Sequence, residues 1–357
     1  MSDTSQHTTA EAKSKAEYLR IEDLRVHFKT SDGIVKAVDG VSFGVSEGET
    51  LGIVGESGSG KSVTGMSILG LHDPEQSRIS GSVKVDGVEV IGMTDNQLRG
   101  LRGKSMSMIF QDALTALHPY FTIGAQIVEG YRLHHKVSKR EAKQVAIDML
   151  DRVGIPEPAK RFSQYPHEFS GGMRQRAMIA MSLVNDPRLI IADEPTTALD
   201  VTVQGQILDL LEGLQKEFNS AIIMITHDLG VIAQVADRVM VMYGGKPVEE
   251  GGVAEVMTNP QHPYTWGLLN SVPTLHSDAS VDLRPIAGNP PSLLNVPSGC
   301  TFHPRCSYML GEGSACVTQI PTMTAHSDVP GHVSACHLPE STRRSIIETE
   351  VQKVEEV

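Results

Sequence analysis

The sequence predicts an α/β fold: a mainly parallel sheet with helices on both faces, an antiparallel β subdomain, a helical subdomain and a small cysteine-containing C-terminal extension. Three observations carry that prediction. A short apolar stretch at residues 50–54 runs straight into a glycine-rich segment, Gly55-Glu56-Ser57-Gly58-Ser59-Gly60-Lys61-Ser62. From Leu189 onward, apolar runs of strand length alternate with helical stretches, as in a parallel sheet covered on both faces. Past Gly252 the texture changes to a Pro-, His- and Cys-rich chain with weak periodicity.

The elements follow in order. Residues 1–18 are polar, without the apolar core of a secretory signal, and read as a disordered tail. Residues 24–28 and 38–45 mix apolar and polar positions as half-buried strands do. Residues 62–71 read as a helix, 79–90 as a strand and hairpin turning at Asp86-Gly87, and 105–110 as a strand. From about 122 to 187 the pattern is helical. Ser138-Lys139-Arg140-Glu141 has capping-box spacing, and Ala142, Val145, Ala146, Met149 and Leu150 share one face behind it. The sheet then resumes at 189–192. A helix (201–218), a strand (221–226), a short helix (228–236) and a strand (238–243) follow. The resulting division is a main domain over 19–258, an extension over 259–339 and a loose acidic tail over 340–357.

Composition narrows the function. The chain has 357 residues, 40% of them hydrophobic, enough for one large domain plus an extension. With 4% aromatics the core rests on aliphatic side chains. A net charge of -12 argues against nucleic acid as the main partner. No apolar run approaches the roughly 20 residues of a membrane span. These features place the chain in the cytoplasm, reaching a membrane by docking on another protein.

The segment 55–62 fits G-x-x-x-x-G-K-[ST]. Its glycines let backbone N–H groups wrap phosphates, and the following helix points its positive end at the same charge. Lys61 is placed to reach the β- and γ-phosphates and the Ser62 hydroxyl to ligate Mg²⁺. Asp193-Glu194 closes an apolar strand, where one carboxylate can hold Mg²⁺ and its neighbour can polarise water. Alone, such a pair is more often a strand terminus. Gln111 and His227, each just after a strand, are equally weak singly.

Together these residues form an ordered series: phosphate loop, Phe110-Gln111, Ser170-Gly171-Gly172, Asp193-Glu194, Ala198-Leu199-Asp200 and Thr226-His227-Asp228. The series resembles the nucleotide-binding cassette of ABC transporters, a P-loop NTPase fold, over about residues 19–252. The resemblance implies a role for each position. Gln111 is the residue that touches Mg²⁺ and senses the membrane subunit, Glu194 the general base and His227 the γ-phosphate switch. Ser170, Gly171 and Gly172 form the signature turn that reaches ATP held by an opposite cassette, and Asp200 is a cross-dimer contact. The signature reads Phe-Ser-Gly-Gly-Met where Leu-Ser-Gly-Gly-Gln is usual. An adenine-stacking aromatic is expected ahead of the phosphate loop. Ser31-Asp32-Gly33-Ile34 offers none, leaving Phe28 as the candidate.

The extension contains His262-Pro263-Tyr264-Thr265, Pro290-Pro291-Ser292-Leu293, Pro297-Ser298-Gly299-Cys300, Phe302-His303-Pro304-Arg305-Cys306 and Ala335-Cys336-His337. It resembles the C-terminal region of oligopeptide and dipeptide importer ATPases. All four cysteines, Cys300, Cys306, Cys316 and Cys336, lie here, with spacing C-x5-C-x9-C-x19-C. In a reducing compartment such a set reads as a soft-metal site or as unligated thiols. The resemblance favours a [4Fe–4S] cluster over Zn²⁺. His303, His332 and His337 are substitute ligands or neighbours.

The resemblance thus implies an ATP-hydrolysing subunit of an importer for di- or oligopeptides, at the cytoplasmic face of the membrane. Its partners would be a second ATPase subunit of distinct sequence, two permease subunits and, indirectly, an extracytoplasmic solute-binding protein, with no nucleic acid. Nickel or another small solute stays open as cargo. A soluble ABC ATPase acting on DNA or ribosomes fits less well, because such proteins carry long coiled-coil insertions or two cassettes per chain.

Overall fold

Two sheets organise the chain. The computed structural model describes residues 17–197, 199–271, 286–326 and 329–351. The smaller sheet is antiparallel, in the order β2-β1-β4-β5. It consists of β1 (Glu17–Thr30), β2 (Gly33–Ser46), β4 (Ser77–Val85) and β5 (Val88–Glu89). Strand β1 begins two residues inside the expected tail. Asp86 and Gly87, both at positive φ, make the β4–β5 turn.

The larger sheet contains β3 (Thr50–Val54), β6 (Met106–Ile109), β7 (Leu189–Asp193), β8 (Ala221–Thr226), β9 (Arg238–Tyr243) and β10 (Lys246–Gly252). β9, β3, β8, β7 and β6 are neighbours in that order and all parallel. Every residue of β3, β6, β7 and β8 is buried, which is why they read as unbroken apolar runs. Helices α1 (Lys61–Ile68) and α2 (Asp95–Leu101) lie between these strands in sequence. Short α3 (Ala113–Ala116) then leads to α4 (Ile123–His134), α5 (Lys139–Arg152), α6 (Pro158–Arg161) and α7 (Gly171–Leu183), the expected helical subdomain. Ser138 caps α5 by accepting from the Glu141 N–H at 3.2 Å, and Ala142, Ala146, Met149 and Leu150 are its buried face. α8 (Val201–Phe218) and α9 (Leu229–Val235) complete the alternation.

The extension joins the large sheet. After α10 (Val253–Thr258), α11 (Pro263–Asn270) and α12 (Ala315–Thr318), strands β11 (Thr324–Ala325) and β12 (Val333–Ser334) add to the large sheet through β10. An exposed edge strand is thereby covered. Beneath this junction the buried Glu249 carboxylate accepts from the backbone N–H groups of Gln261 (2.5 Å) and His262 (2.9 Å) and from the Thr265 hydroxyl (2.6 Å). His332 Nε2 lies 2.8 Å from the same carboxylate. The acidic tail, expected to be loose, forms α13 (Glu340–Glu350). Ile347 and Val351 pack with Trp266 and Leu338 in a small core of their own, so apolar burial overrides the segment's charge.

Asp39 ties the two sheets together. Its backbone N–H donates to Gly245 O at 2.8 Å, and its carboxylate accepts from Arg25 (2.6 Å) and Lys246 (2.8 Å). Burial opposes its charge, but the Lys246 hydrogen bond and the Lys246 and Arg25 charges outweigh that, so its pKa lies below the usual aspartate range. A depressed folded value means that the contribution is complete above the unfolded value, about 4, and is lost as pH falls through the folded one. Asp39→Asn is expected to lower unfolding free energy at pH 7 by about 1–3 kcal/mol. The gap to the parent protein should close below about pH 4, as measured by denaturant unfolding across pH.

Candidate functional site

The parallel register sets the site. Val54 of β3 lies opposite Thr226 of β8, Ile225 opposite Asp193 of β7, and Ala192 opposite Ile109 of β6. The residues that follow these strand ends, Gly55, His227, Glu194 and Gln111, therefore emerge along one rim.

The phosphate loop leads from β3 into α1. Gly55 and Gly60 have φ of 153° and 103°, and a Cβ would stand 2.2 Å from Met242 O at the first and 2.4 Å from Ala37 O at the second. Both positions therefore require glycine. Lys61 is buried, and its Nζ donates to Gly55 O (2.7 Å) and Glu56 O (3.1 Å). Burial pulls its pKa down, opposed by Glu194, Asp193 and Glu56. The Ser62 hydroxyl donates to Asp193 Oδ1 at 2.8 Å. Burial pushes the Asp193 carboxyl up, with Ser62 working the other way.

Glu194 is the hub of the rim. It has φ of 46°, a left-handed conformation costly for a residue with a side chain. Its N–H donates to Ile225 O at 2.8 Å, holding the turn against the neighbouring strand. Gln111 Nε2 (3.0 Å) and Thr197 Oγ1 (2.8 Å) donate to Oε2, and His227 Nδ1 stands 3.3 Å from Oε1. Burial acts against its charge, but Thr197, His227 and Lys61 prevail, so its pKa is lowered and it is ionised at neutral pH. Thr197 carried no signal in the sequence beyond its position three residues after Glu194. The arrangement is an ionised carboxylate on a strained turn, held by three side chains at the end of a phosphate loop.

Ser170, Gly171 and Gly172 stand apart from that rim. Phe169 is buried and anchors the turn, while Ser170 and Gly171 are exposed at the start of α7. The Ser170 hydroxyl accepts from the Met173 N–H at 3.3 Å. Among the described residues no hydrogen bond or ion pair joins 170–172 to 55–62. Asp200 caps α8, accepting from Val203 at 3.0 Å. Ala198 of the same motif lies outside the described residues.

The extension grips the phosphate loop. Arg305 presents a fork to Glu56 at 2.6 and 3.1 Å, donates to the Tyr243 hydroxyl at 3.3 Å and reaches Ala287 O at 2.9 Å. The Glu56 N–H donates to the Tyr264 hydroxyl at 2.8 Å. Neither contact has a signal in the sequence, because the partners lie more than 200 residues apart. Next to Arg305, Cys306 joins Cys300, Cys316 and Cys336 around one small cavity, with His303 and His337 beside it. His332 instead faces Glu249. Burial pushes the Cys306 thiol up to about 12 and that of Cys336 to about 11. Among the described residues no group of three or more His, Cys, Asp or Glu stands at metal-ligating spacing. No described helix is long and apolar enough to cross a membrane.

Arg305→Ala leaves the Glu56 carboxylate without its fork and is expected to destabilise the fold by about 2 kcal/mol. Arg305→Lys should recover only part of that, since an ammonium cannot reproduce the two-point contact. Thermal unfolding of both variants measures this.

Residues 38–197 match the ABC transporter family model, and residues 248–312 match the oligopeptide/dipeptide transporter C-terminal region. The oligopeptide transport ATP-binding protein OppD of Salmonella typhimurium is 51% identical over 321 residues, 90% of this chain and 93% of that one. The dipeptide transport ATP-binding protein DppD of Bacillus subtilis is 48% identical over 323 residues, covering 90% and 95%. Among solved structures, a dimeric ATP-binding cassette in a post-hydrolysis state with ADP and phosphate superposes with a TM-score of 0.60. It is 27% identical and covers 66% of this chain and 98% of that one. The chain belongs to the ATP-binding proteins of ABC transporters, in the branch that carries the oligopeptide/dipeptide transporter C-terminal region.

Proposed function

We propose that this chain hydrolyses ATP to energise import of di- or oligopeptides through a membrane permease. The observation that carries the reading is Glu194, ionised and held by Gln111, Thr197 and His227 beside Lys61 and Ser62. The phosphate loop, residues 55–62, binds the triphosphate through backbone N–H groups and Lys61. Ser62, Gln111 and Asp193 are the residues that would hold Mg²⁺, which neutralises charge on the β- and γ-phosphates when bound. Water attacks the γ-phosphorus, Glu194 accepts its proton, the bond to the β-phosphate oxygen breaks, and ADP and phosphate result. His227 positions the γ-phosphate. The peptide cargo is supported by the transport proteins that share about half of this sequence along nine-tenths of it.

Two cassettes make one working pair. Ser170, Gly171 and Asp200 are exposed and Gly172 is half-buried beside them, and we assign all four to the ATP held by a second cassette, a paralogue of distinct sequence. The permease is a pair of membrane subunits fed by a solute-binding protein outside the cytoplasm. Phe110, Leu114, Tyr120 and Phe121 are exposed beside Gln111 and fit the permease contact. We divide the chain into a cassette over 19–258 and an extension over 259–339.

The four cysteines come from separate stretches to line one small cavity, and their thiolate chemistry, though not their spacing in this structure, suits a [4Fe–4S] cluster. Cys300, Cys306, Cys316 and Cys336 would hold it. Such a cluster would supply a cross-link between these stretches rather than a redox step.

Glu194→Gln is expected to keep ATP binding and to lower turnover at least about 100-fold. Steady-state hydrolysis alongside equilibrium ATP binding checks it, and brisk hydrolysis by the variant would unseat Glu194 as the base. Anaerobically purified protein should absorb in the visible and contain iron and sulfide. Colourless protein carrying zinc would contradict the cluster.

A further inference from the structure

The flank of the phosphate loop away from Glu194 opens on a cleft of about 280 Å³. That volume approaches the roughly 300 Å³ at which small-molecule sites begin. One wall is the loop itself, Glu56 to Ser59. Val35 of β2 and Tyr243 of β9 form the back. The remaining wall comes from the extension: Pro290, Pro291, Leu293 and Leu294.

This wall is fastened at both ends. The Lys36 N–H at the start of β2 donates to Leu293 O at 3.1 Å. Arg305 links the extension to Glu56 and, through Ile286 O (3.3 Å) and Ala287 O (2.9 Å), to the chain just before Pro290. Within the wall, the Asn295 N–H donates to Ser292 O at 3.0 Å, closing a turn. Phe28, by contrast, packs edge-on against His72 with ring centroids 5.3 Å apart and is not among the residues that line the cleft.

A triphosphate lying along the loop must place its reacting end beside Glu194, Gln111 and His227. The rest of the nucleotide then runs toward the opposite flank. A purine ring is flat and largely apolar on its faces, and proline and leucine side chains cover such a face well. We propose that the base of ATP binds in this cleft with the Pro290–Leu294 segment as one of its walls, replacing an aromatic from the β1–β2 hairpin. The extension is then part of the nucleotide site. The proposal rests on the ATPase reading above.

The test is equilibrium binding of ATP and of inorganic tripolyphosphate to the full chain and to its Leu293→Ala/Leu294→Ala variant, which keeps the Leu293 carbonyl. ATP should bind the variant about tenfold or more weaker, the scale of losing one buried leucine contact. Tripolyphosphate, which has no base, should bind both proteins equally. Unchanged ATP affinity, or equal weakening for both ligands, would overturn the proposal. A parent chain that binds neither ligand would bring down the nucleotide reading itself and the wall with it. Photolabelling of the unmodified chain with 8-azido-ATP gives a second readout that needs no variant. Label within residues 286–305 supports the wall, and label on the peptide containing Phe28 overturns it.

Discussion

Five parallel strands ending on one line are the constraint from which the site follows. Parallel neighbours require crossover connections, so each strand end must release its chain on the same side of the sheet. β3 releases the phosphate loop, β7 Asp193 and Glu194, β8 His227 and β6 Gln111. A slip of one residue in any of these registers would move every side chain of that strand to the opposite face of the sheet. The Ser62–Asp193 hydrogen bond at 2.8 Å and the Gln111–Glu194 contact at 3.0 Å depend on that alignment. So does the positive φ of Glu194, which is held from the neighbouring strand by Ile225 O.

Two other parts of the molecule answer to this rim in different ways. The turn at Ser170 is anchored through Phe169 and presents Ser170 and Gly171 to solvent, which is the basis for the proposal that it serves a neighbouring cassette. The extension turns inward. Glu249 gathers Gln261, His262, Thr265 and His332 into one buried cluster, and from that base Tyr264 and Arg305 reach Glu56 of the phosphate loop. The cysteine cavity lies one residue further on, at Cys306.

What was legible in the sequence follows from range. β3, α8, β8 and β9 fall where the apolar runs and helical periodicity put them, because full burial writes itself into consecutive residues. The phosphate loop was readable from its own glycine pattern, whereas Gln111, Glu194 and His227, each weak alone at a strand end, were readable only as parts of an ordered series. The Arg305–Glu56 fork, the Thr197 contact and the Pro290–Leu294 wall were not, since each depends on which distant segments the topology brings together. The tail misled for a related reason: its charge suggested a loose end, while Ile347 and Val351 find apolar partners around Trp266. The cysteines were visible as a set. That His332 would turn away from them to Glu249 was not.

On the proposed function, this chain holds a complete nucleotide-binding loop and only half of a hydrolytic site. Ser170→Arg places a large cation on the exposed turn without touching residues 55–62. ATP affinity of the isolated variant chain is expected to be unchanged. ATP turnover in the assembled transporter, at the site that this turn completes, is expected to fall at least about 100-fold, the loss expected from removing a γ-phosphate ligand. Loss of ATP binding by the isolated chain, or undiminished turnover in the assembly, would contradict this reading.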